Sequence, residues 1–267
     1  MHRFGIKEMK RYAITGAANG IGKELALILA QKGHEVIAID ISEPDFETAG
    51  FIRMDLSDPE SISNGVSEIP EIDGLCNSAG LPPRDGLSEA ILKVNFLGTR
   101  ELTRRLTPKI NDGGSIVNLA SKAGHKWGEN VDQVKRLAAL SLGSDLPRFL
   151  SEEEITPVRA YDLSKEAMIL WTMASSEKMV EQGLRINSIS PGAVETAIMS
   201  DFEAAFGERM TKNVKRAGRA GRPDEIAHLA AFLLSSKSSW MRGSDVVIDG
   251  GMTAFNGADS MDLSGLV

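Results

Sequence analysis

Tyr161 and Lys165 stand four positions apart in the run Tyr-Asp-Leu-Ser-Lys, inside a stretch of otherwise helix-forming sequence. Side chains at i and i+4 share a helix face, with Cβ atoms about 5–6 Å apart. A charged lysine beside a phenol favours the phenolate by Coulomb attraction. The Tyr161 hydroxyl is therefore expected to exchange a proton near neutral pH and not near its ordinary pKa of about 10. Each unit of such a shift corresponds to about 1.4 kcal/mol. Taken alone, the pair is also a common coincidence of helical sequence, and its meaning depends on what the chain places around it.

A second candidate is the glycine-rich turn Thr-Gly-Ala-Ala-Asn-Gly-Ile-Gly, which carries Gly16, Asn19, Gly20, Ile21 and Gly22 directly after the apolar run Tyr12-Ala13-Ile14-Thr15. A helix N-terminus preceded by glycines can hold a pyrophosphate. Its free N–H groups and dipole favour an anion, and a side chain would block the approach. The Gly-x-x-x-Gly-x-Gly spacing differs from the Gly-x-Gly-x-x-Gly dinucleotide fingerprint, and a glycine cluster after a strand can equally be a turn alone. Asp40 adds weight, because it ends the next apolar run, 18 residues after Gly22. A carboxylate there can accept both adenosine ribose hydroxyls and repel a 2′-phosphate, which selects NAD over NADP. Positions 17–21 carry no Arg or Lys, and none follows directly after Asp40. The bland alternative is an Asp40 that only caps a turn.

The elements that must position these residues follow from periodicity. Apolar runs at 12–15, 35–40, 51–55, 74–77, 115–119, 185–189 and 245–248 read as strands, and 23–32, 58–66, 87–106, 161–182 and 223–234 as helices. Strands alternating with helices imply an α/β fold, a single-domain Rossmann-like, doubly wound parallel sheet of about seven strands. The spacing is uneven. About ten residues, including Pro44 and Gly50, join the second strand to the third, so a loop or at most one turn is expected there. Ser121 and Tyr161 lie 40 positions apart, with Val131, Val134, Leu137 and Ala138 at helical spacing between them. A second short helix is expected after Ser151, whose Ser-Glu-Glu-Glu sequence resembles an N-cap with an acidic first turn. Residues 127–159 are thus expected to form a helical insertion. Ile198, Met199, Phe202, Phe206, Met210 and Val214 lie on one side of an amphipathic segment, 198–214, which normally would just pack on the core.

Composition bounds the answer. The chain has 267 residues, 42% of them hydrophobic, with 26 Gly and 10 Pro, as expected of one folded domain over residues 1–267. No apolar run reaches the ~20 residues needed to span a bilayer, and residues 1–10 are polar without a signal-peptide core. A cytoplasmic location is expected. Cys76 is the sole cysteine, and His2, His34, His125 and His228 are scattered, so neither a disulfide framework nor a metal site is expected. The net charge of −7, with dispersed basic residues, argues against nucleic acid as a partner.

Taken together, the chain resembles the short-chain dehydrogenase/reductase family over residues 11–252. The turn at 15–22 is similar to the family's Thr-Gly-x-x-x-Gly-Ile-Gly, and Asp55-Leu56 to its adenine-contacting pair. Asn77-Ser78-Ala79-Gly80 resembles its Asn-Asn-Ala-Gly, with Ser78 a departure. Asn95 sits in Val-Asn-Phe-Leu-Gly, Ser121 closes the fifth strand in Asn-Leu-Ala-Ser, and Tyr161 and Lys165 form the Tyr-x-x-x-Lys. Pro191 to Thr196, including Val194, resembles the segment that holds the nicotinamide carboxamide. The long Ser121–Tyr161 connection and the short second crossover resemble the branch containing 3α-hydroxysteroid dehydrogenase/carbonyl reductase and coniferyl-alcohol dehydrogenase.

The resemblance implies NAD as cofactor and hydride transfer to or from a carbonyl carbon. It implies Tyr161 as general acid/base, Lys165 as its partner and ribose holder, and Ser121 as donor to the substrate oxygen. Asn95 would hold a water linking Lys165 to solvent. The alternatives are an Asn95 that bonds helix backbone and a Ser121 that only caps a strand. The family's substrate-covering segment corresponds to residues 197–222, which makes it a lid, and its apolar side suggests an aryl or alicyclic alcohol, or its ketone or aldehyde. The resemblance also implies a homodimer or homotetramer. Two competing functions are an NADPH-linked carbonyl or acyl-carrier reductase and a catalytically silent NAD-binding regulator. Asp40 disfavours the first and the complete set of Asn95, Ser121, Tyr161 and Lys165 the second.

Overall fold

Short apolar runs such as Glu35–Asp40, with Val36 to Ile39 all buried, cannot show a polar face to solvent and so form strands covered on both sides. In the computed structural model, which describes residues 8–266, seven of them make one sheet in the order β3-β2-β1-β4-β5-β6-β7. These are β1 (Arg11–Thr15), β2 (Glu35–Asp40), β3 (Gly50–Arg53), β4 (Ile72–Asn77), β5 (Ile110–Leu119), β6 (Arg185–Pro191) and β7 (Asp245–Ile248), and all neighbours run parallel. This is the doubly wound, single-domain α/β architecture expected. The first seven residues of the polar N-terminal segment lie outside the described residues.

The helices are α1 (Gly20–Gln31), α2 (Pro59–Glu68), α3 (Ser88–Leu92), α4 (Thr99–Leu106), α5 (Val131–Ala138), α6 (Leu146–Glu152), α7 (Pro157–Glu181), α8 (Met199–Ala217), α9 (Pro223–Leu234) and α10 (Met252–Ser260). One hydrophobic cluster joins Tyr12, Ile14 and Val36 to Leu25 and Leu29 of α1 and to Ile226 and Ala230 of α9. A second joins Ala13, Ile37 and Leu75 to Ile62, Leu102 and Ile169 of α2, α4 and α7. Alternate residues of β1 thus feed opposite layers, as the pleat requires. Strand order reverses between β1 and β4, and there Thr15 and Asn77 are register partners at the carboxyl ends of the strands. A crevice opens at such a switch point.

Several boundaries differ from the sequence reading. The third strand ends at Arg53, which leaves Asp55 in the following turn. The expected helix 87–106 is α3 and α4 joined by a π-helical turn, Lys93–Gly98, that contains Asn95. Ser121 does not close β5, which ends at Leu119; it caps a 3-10 helix, Lys122–Glu129, by accepting from the Ala123 N–H at 3.1 Å. The second helix of the insertion has Ser151 in its last turn instead of following it. Asp145 caps α6 by accepting from the Arg148 N–H, Pro147 sits in its first turn, and the acidic run falls at its end, where Glu154 has φ +51°. Helix α7 begins four residues before Tyr161, capped by Thr156 with Pro157 in the first turn. The second crossover, 41–49, is a loop, as its length implied.

Candidate active site

A cleft of about 1140 Å3 runs across the carboxyl ends of the strands. At one end it is lined by Gly16, Asn19, Gly20, Ile21, Asp40, Asp55 and Leu56, in the middle by Ala79, Gly80, Val194 and Thr196, and at the other end by Ser121, Tyr161 and Lys165. The fold therefore gathers onto one surface residues that are up to 180 positions apart, Gly16 to Thr196 (196 − 16). Three of the expected residues do not line it: Gly22, Asn77 and Asn95.

The glycine turn has a steric reason. Gly16 has φ +66°, and a Cβ there would stand 2.8 Å from the Ala79 backbone; a Cβ on Gly22 would reach 2.2 Å from the Gly16 carbonyl oxygen. Thr15 ties the same loops together, its hydroxyl accepting from the Ser78 and Ala79 N–H groups at 3.0 and 3.1 Å. Asn19 at the N-cap of α1 makes no side-chain cap bond, and the first turn carries no acidic residue. Those helical N–H groups thus keep their capacity for an anion, which fits a pyrophosphate. Asp40 accepts from the Ala18 N–H at 3.0 Å and the Ser42 N–H at 3.1 Å, which fixes its carboxylate at the cleft wall. Asn77 points elsewhere. It is buried, donating to Thr103 and to Asn118, which in turn donates to Thr172 of α7. This network braces β4, β5, α4 and α7 beneath the site.

At the far end, Ser121 and Tyr161 line the same wall of the cleft, and the Ser121 hydroxyl acts on the phenol so as to lower its pKa. The Ser121 oxygen already accepts from its cap N–H, so its own proton is free to be donated. The Lys165 ammonium lies 5.6 Å from the Tyr161 ring centroid and donates to the Leu119 carbonyl at 2.8 Å. Both side chains are buried. Burial pushes the Tyr161 phenol up to about 12, opposed by the Ser121 hydrogen bond and reinforced by Asp162, and pushes Lys165 down to about 8. The phenol is thus raised where the sequence reading expected Lys165 to lower it, and burial is the dominant cause. Asn95 accepts from the Leu81 N–H at 2.7 Å and donates to its carbonyl at 3.0 Å and to Ser164 at 3.3 Å. A Cβ on Gly80 would lie 3.4 Å from Asn95 Oδ1 and 3.8 Å from Lys165 Nζ, so these three residues are immediate neighbours.

Helix α8 roofs this end. It breaks at Gly207, at φ +51° and ψ −135°, and the segment before the break lays Phe202 and Phe206 against the Tyr161 ring, edge-on at centroid distances of 5.2 and 6.5 Å. Arg84, from the loop after β4, grips Asp201 with two hydrogen bonds of 2.7 and 2.6 Å. Arg216, Arg219 and Arg222 are each paired with a carboxylate, those of Asp259, Glu225 and Asp224. The insertion packs on the other side of α7. The wholly buried Glu166 receives Arg159 at 2.6 Å and Asn130 at 2.8 Å, and Arg159 also donates to Gln133 of α5.

Sequence reasoning missed Gly124, Arg84 and the brace through Asn118, since each acts through a contact between distant segments. Trp171 packs edge-on against Phe96 at 6.4 Å, and Cys76 is a fully buried core residue whose thiol is pushed up by burial. His125 lines the cleft, its Nε2 3.4 Å from the Asp245 carboxylate. Among the described residues no cluster could hold a metal ion, and no helix is long and apolar enough to cross a membrane.

Residues 10–132 match the short chain dehydrogenase family, and residues 148–253 the related family described as enoyl-(acyl carrier protein) reductase. The chain is 34% identical to coniferyl-alcohol dehydrogenase of Pseudomonas sp. strain HR199, over 92% of this chain and 97% of that one. It is 29% identical to 3-alpha-hydroxysteroid dehydrogenase/carbonyl reductase of Comamonas testosteroni, with the same two coverages of 92% and 97%. The crystal structure of the 3-alpha-hydroxysteroid dehydrogenase from Pseudomonas sp. B-0831 complexed with NADH superposes with a TM-score of 0.80 at 31% identity, over 92% of this chain and 97% of that one. The glycine turn at a switch point, the Tyr161–Lys165 pair and these similarities together establish that the chain belongs to the short-chain dehydrogenase/reductase family of oxidoreductases.

Proposed function

We propose that this protein is an NAD-dependent oxidoreductase that interconverts a hydrophobic aryl or alicyclic alcohol and its carbonyl product. The observation that carries this reading is the convergence of Ser121, Tyr161 and Lys165 at one end of a cleft whose other end bears the glycine turn and Asp40. In this reading the first turn of α1 holds the pyrophosphate, Asp40 the adenosine ribose, Asp55 and Leu56 flank the adenine, and Val194 and Thr196 the carboxamide. Ala79 and Gly80 let the cofactor pass close to the backbone. When bound, the nicotinamide would supply or accept the hydride.

The remaining chemistry belongs to the chain. Tyr161, protonated when the site is buried, gives its proton to a substrate carbonyl oxygen and recovers it in the reverse direction. Ser121 donates to the same oxygen and stabilises the charge that develops there. Lys165, with a pKa near 8, holds the nicotinamide ribose and changes charge at the least cost near neutral pH, and a water held by Asn95 connects it to solvent. Phe202 and Phe206 shape an apolar roof, and the pairing of Arg216, Arg219 and Arg222 with carboxylates supports an uncharged substrate. Such a protein is expected to work in the cytoplasm as a homodimer or homotetramer.

The test is NADH formation with NAD and a panel of cinnamyl, benzylic and hydroxysteroid alcohols. Turnover of at least one of them supports the reading, and no turnover of any overturns the substrate class.

A further inference from the structure

Asp40 has a neighbour that sequence distance hides. Its register partner across β2 and β3 is Arg53, thirteen positions away (53 − 40). The Arg53 side chain is exposed, lies over the Phe51 ring with its guanidinium 5.7 Å from the centroid, and donates to the carbonyl of Ile41, the residue directly after Asp40. Among the described residues no carboxylate pairs with Arg53. Lys23, the other cation at this edge, is paired with Asp45 at 2.6 Å. The guanidinium therefore stands just behind Ile41, which lines the ribose end of the cleft together with Asp40, and no carboxylate among the described residues neutralises it.

The Asp40 carboxylate is itself an anion cradled by two backbone N–H groups, those of Ala18 and Ser42. Removing the carboxylate frees both donors without removing Arg53. Two convergent N–H groups and a guanidinium are what a phosphate requires. We propose that Arg53, with the Ala18 and Ser42 N–H groups, forms a latent 2′-phosphate site, and that the Asp40 carboxylate alone keeps the cleft selective for NAD. This inference rests on the NAD reading above. It departs from the usual expectation that a basic residue must be introduced along with the loss of the acid.

The test is titration of NADH and NADPH into the wild-type protein, Asp40→Ala and Asp40→Ala/Arg53→Gln, read by the fluorescence of the bound reduced cofactor, with thermal melting as a check of folding. Asp40→Ala should gain NADPH affinity by about tenfold or more, and the double variant should lose that gain while binding NADH within about twofold of Asp40→Ala. Equal NADPH affinity in the single and double variants overturns the proposal, as does an Asp40→Ala protein that gains none. If Asp40→Ala does not fold, Asp40→Ser serves in its place. A wild-type protein that already prefers NADPH would instead sink the NAD reading. Arg53→Gln alone then decides: a roughly tenfold loss of NADPH affinity supports Arg53 as the phosphate residue, and no loss overturns it.

Discussion

Gly124 and Lys165 meet backbone to backbone: a Cβ at position 124 would stand 2.7 Å from the Lys165 carbonyl carbon and 2.9 Å from the Glu166 nitrogen. Gly124 belongs to the 3-10 helix capped by Ser121, and Lys165 follows Tyr161 by one turn of α7. The 3-10 helix that carries Ser121 and the turn of α7 that carries Lys165 therefore leave no room for a methyl group between them. Gly124 is not among the positive-φ glycines, so its backbone conformation is open to alanine and only the contact forbids one. Gly124→Ala is predicted to cost about 1–3 kcal/mol of stability and to lower kcat by about tenfold or more as the Ser121–Tyr161 geometry opens. Denaturant unfolding and steady-state kinetics check both, and an alanine variant with wild-type turnover would show that the contact is not the constraint.

Burial of Lys165 predicts a pH signature in stability. Its pKa is lowered by desolvation from about 10.5 to about 8, so below pH 8 the native state carries a buried charge that the unfolded chain keeps in water. Between about pH 8 and 10 the unfolded lysine still binds a proton and the native one does not, and stability conferred by this group rises with pH. Lys165→Met should accordingly be more stable than wild type at pH 7, by an amount that the lost bond to Leu119 partly offsets. That advantage should shrink as the pH climbs from 8 towards 10. Urea midpoints at several pH values read the trend, and a pH-independent difference would refute the buried charge.

Phe202 packs edge-on against the buried Tyr161 ring. The chain has two tyrosines, Tyr12 and Tyr161, both pushed up to about 12 chiefly by burial. In Phe202→Ala water should reach Tyr161 and lower its ionisation by about one unit towards the ordinary value near 10, while Tyr12 is unaffected. Phenolate absorbance followed with rising pH should show one early-titrating tyrosine in this variant, absent when Tyr161→Phe is added. Identical curves for wild type and Phe202→Ala would remove Phe202 as the roof of the site.

The Arg84–Asp201 grip fastens the start of α8 to the loop after β4. Both side chains are solvent-accessible, so the pair adds little to global stability. Its loss should act on the roof instead. Arg84→Ala is predicted to raise KM several-fold with little change in melting temperature, and an unchanged KM would mean that α8 is held by its apolar face alone.

Much of this architecture was legible because the sheet is buried on both faces: runs such as Val36 to Ile39 have no other home, and the Tyr12–Thr15 run leads straight into its glycine turn. Local chemistry misled where two signals competed. Ser151 looked like a cap, but Asp145 with Pro147, and Thr156 with Pro157, were the stronger start signals on either side. What stayed hidden were contacts that depend on the closed fold. Strand register alone brings Arg53 to Asp40, the close packing of Gly124 on α7 leaves no periodic trace, and the phenol's pKa turns on how deeply the closed fold buries it.

The proposed role of Tyr161 is to move the proton that accompanies hydride transfer. It is tested most directly by comparing NADH formation by the wild-type protein and Tyr161→Phe on an alcohol that the wild type turns over, with circular dichroism to verify that the variant is folded. Tyr161→Phe is expected to lose at least about a hundredfold in kcat. A folded Tyr161→Phe protein that turns over at the wild-type rate would contradict it.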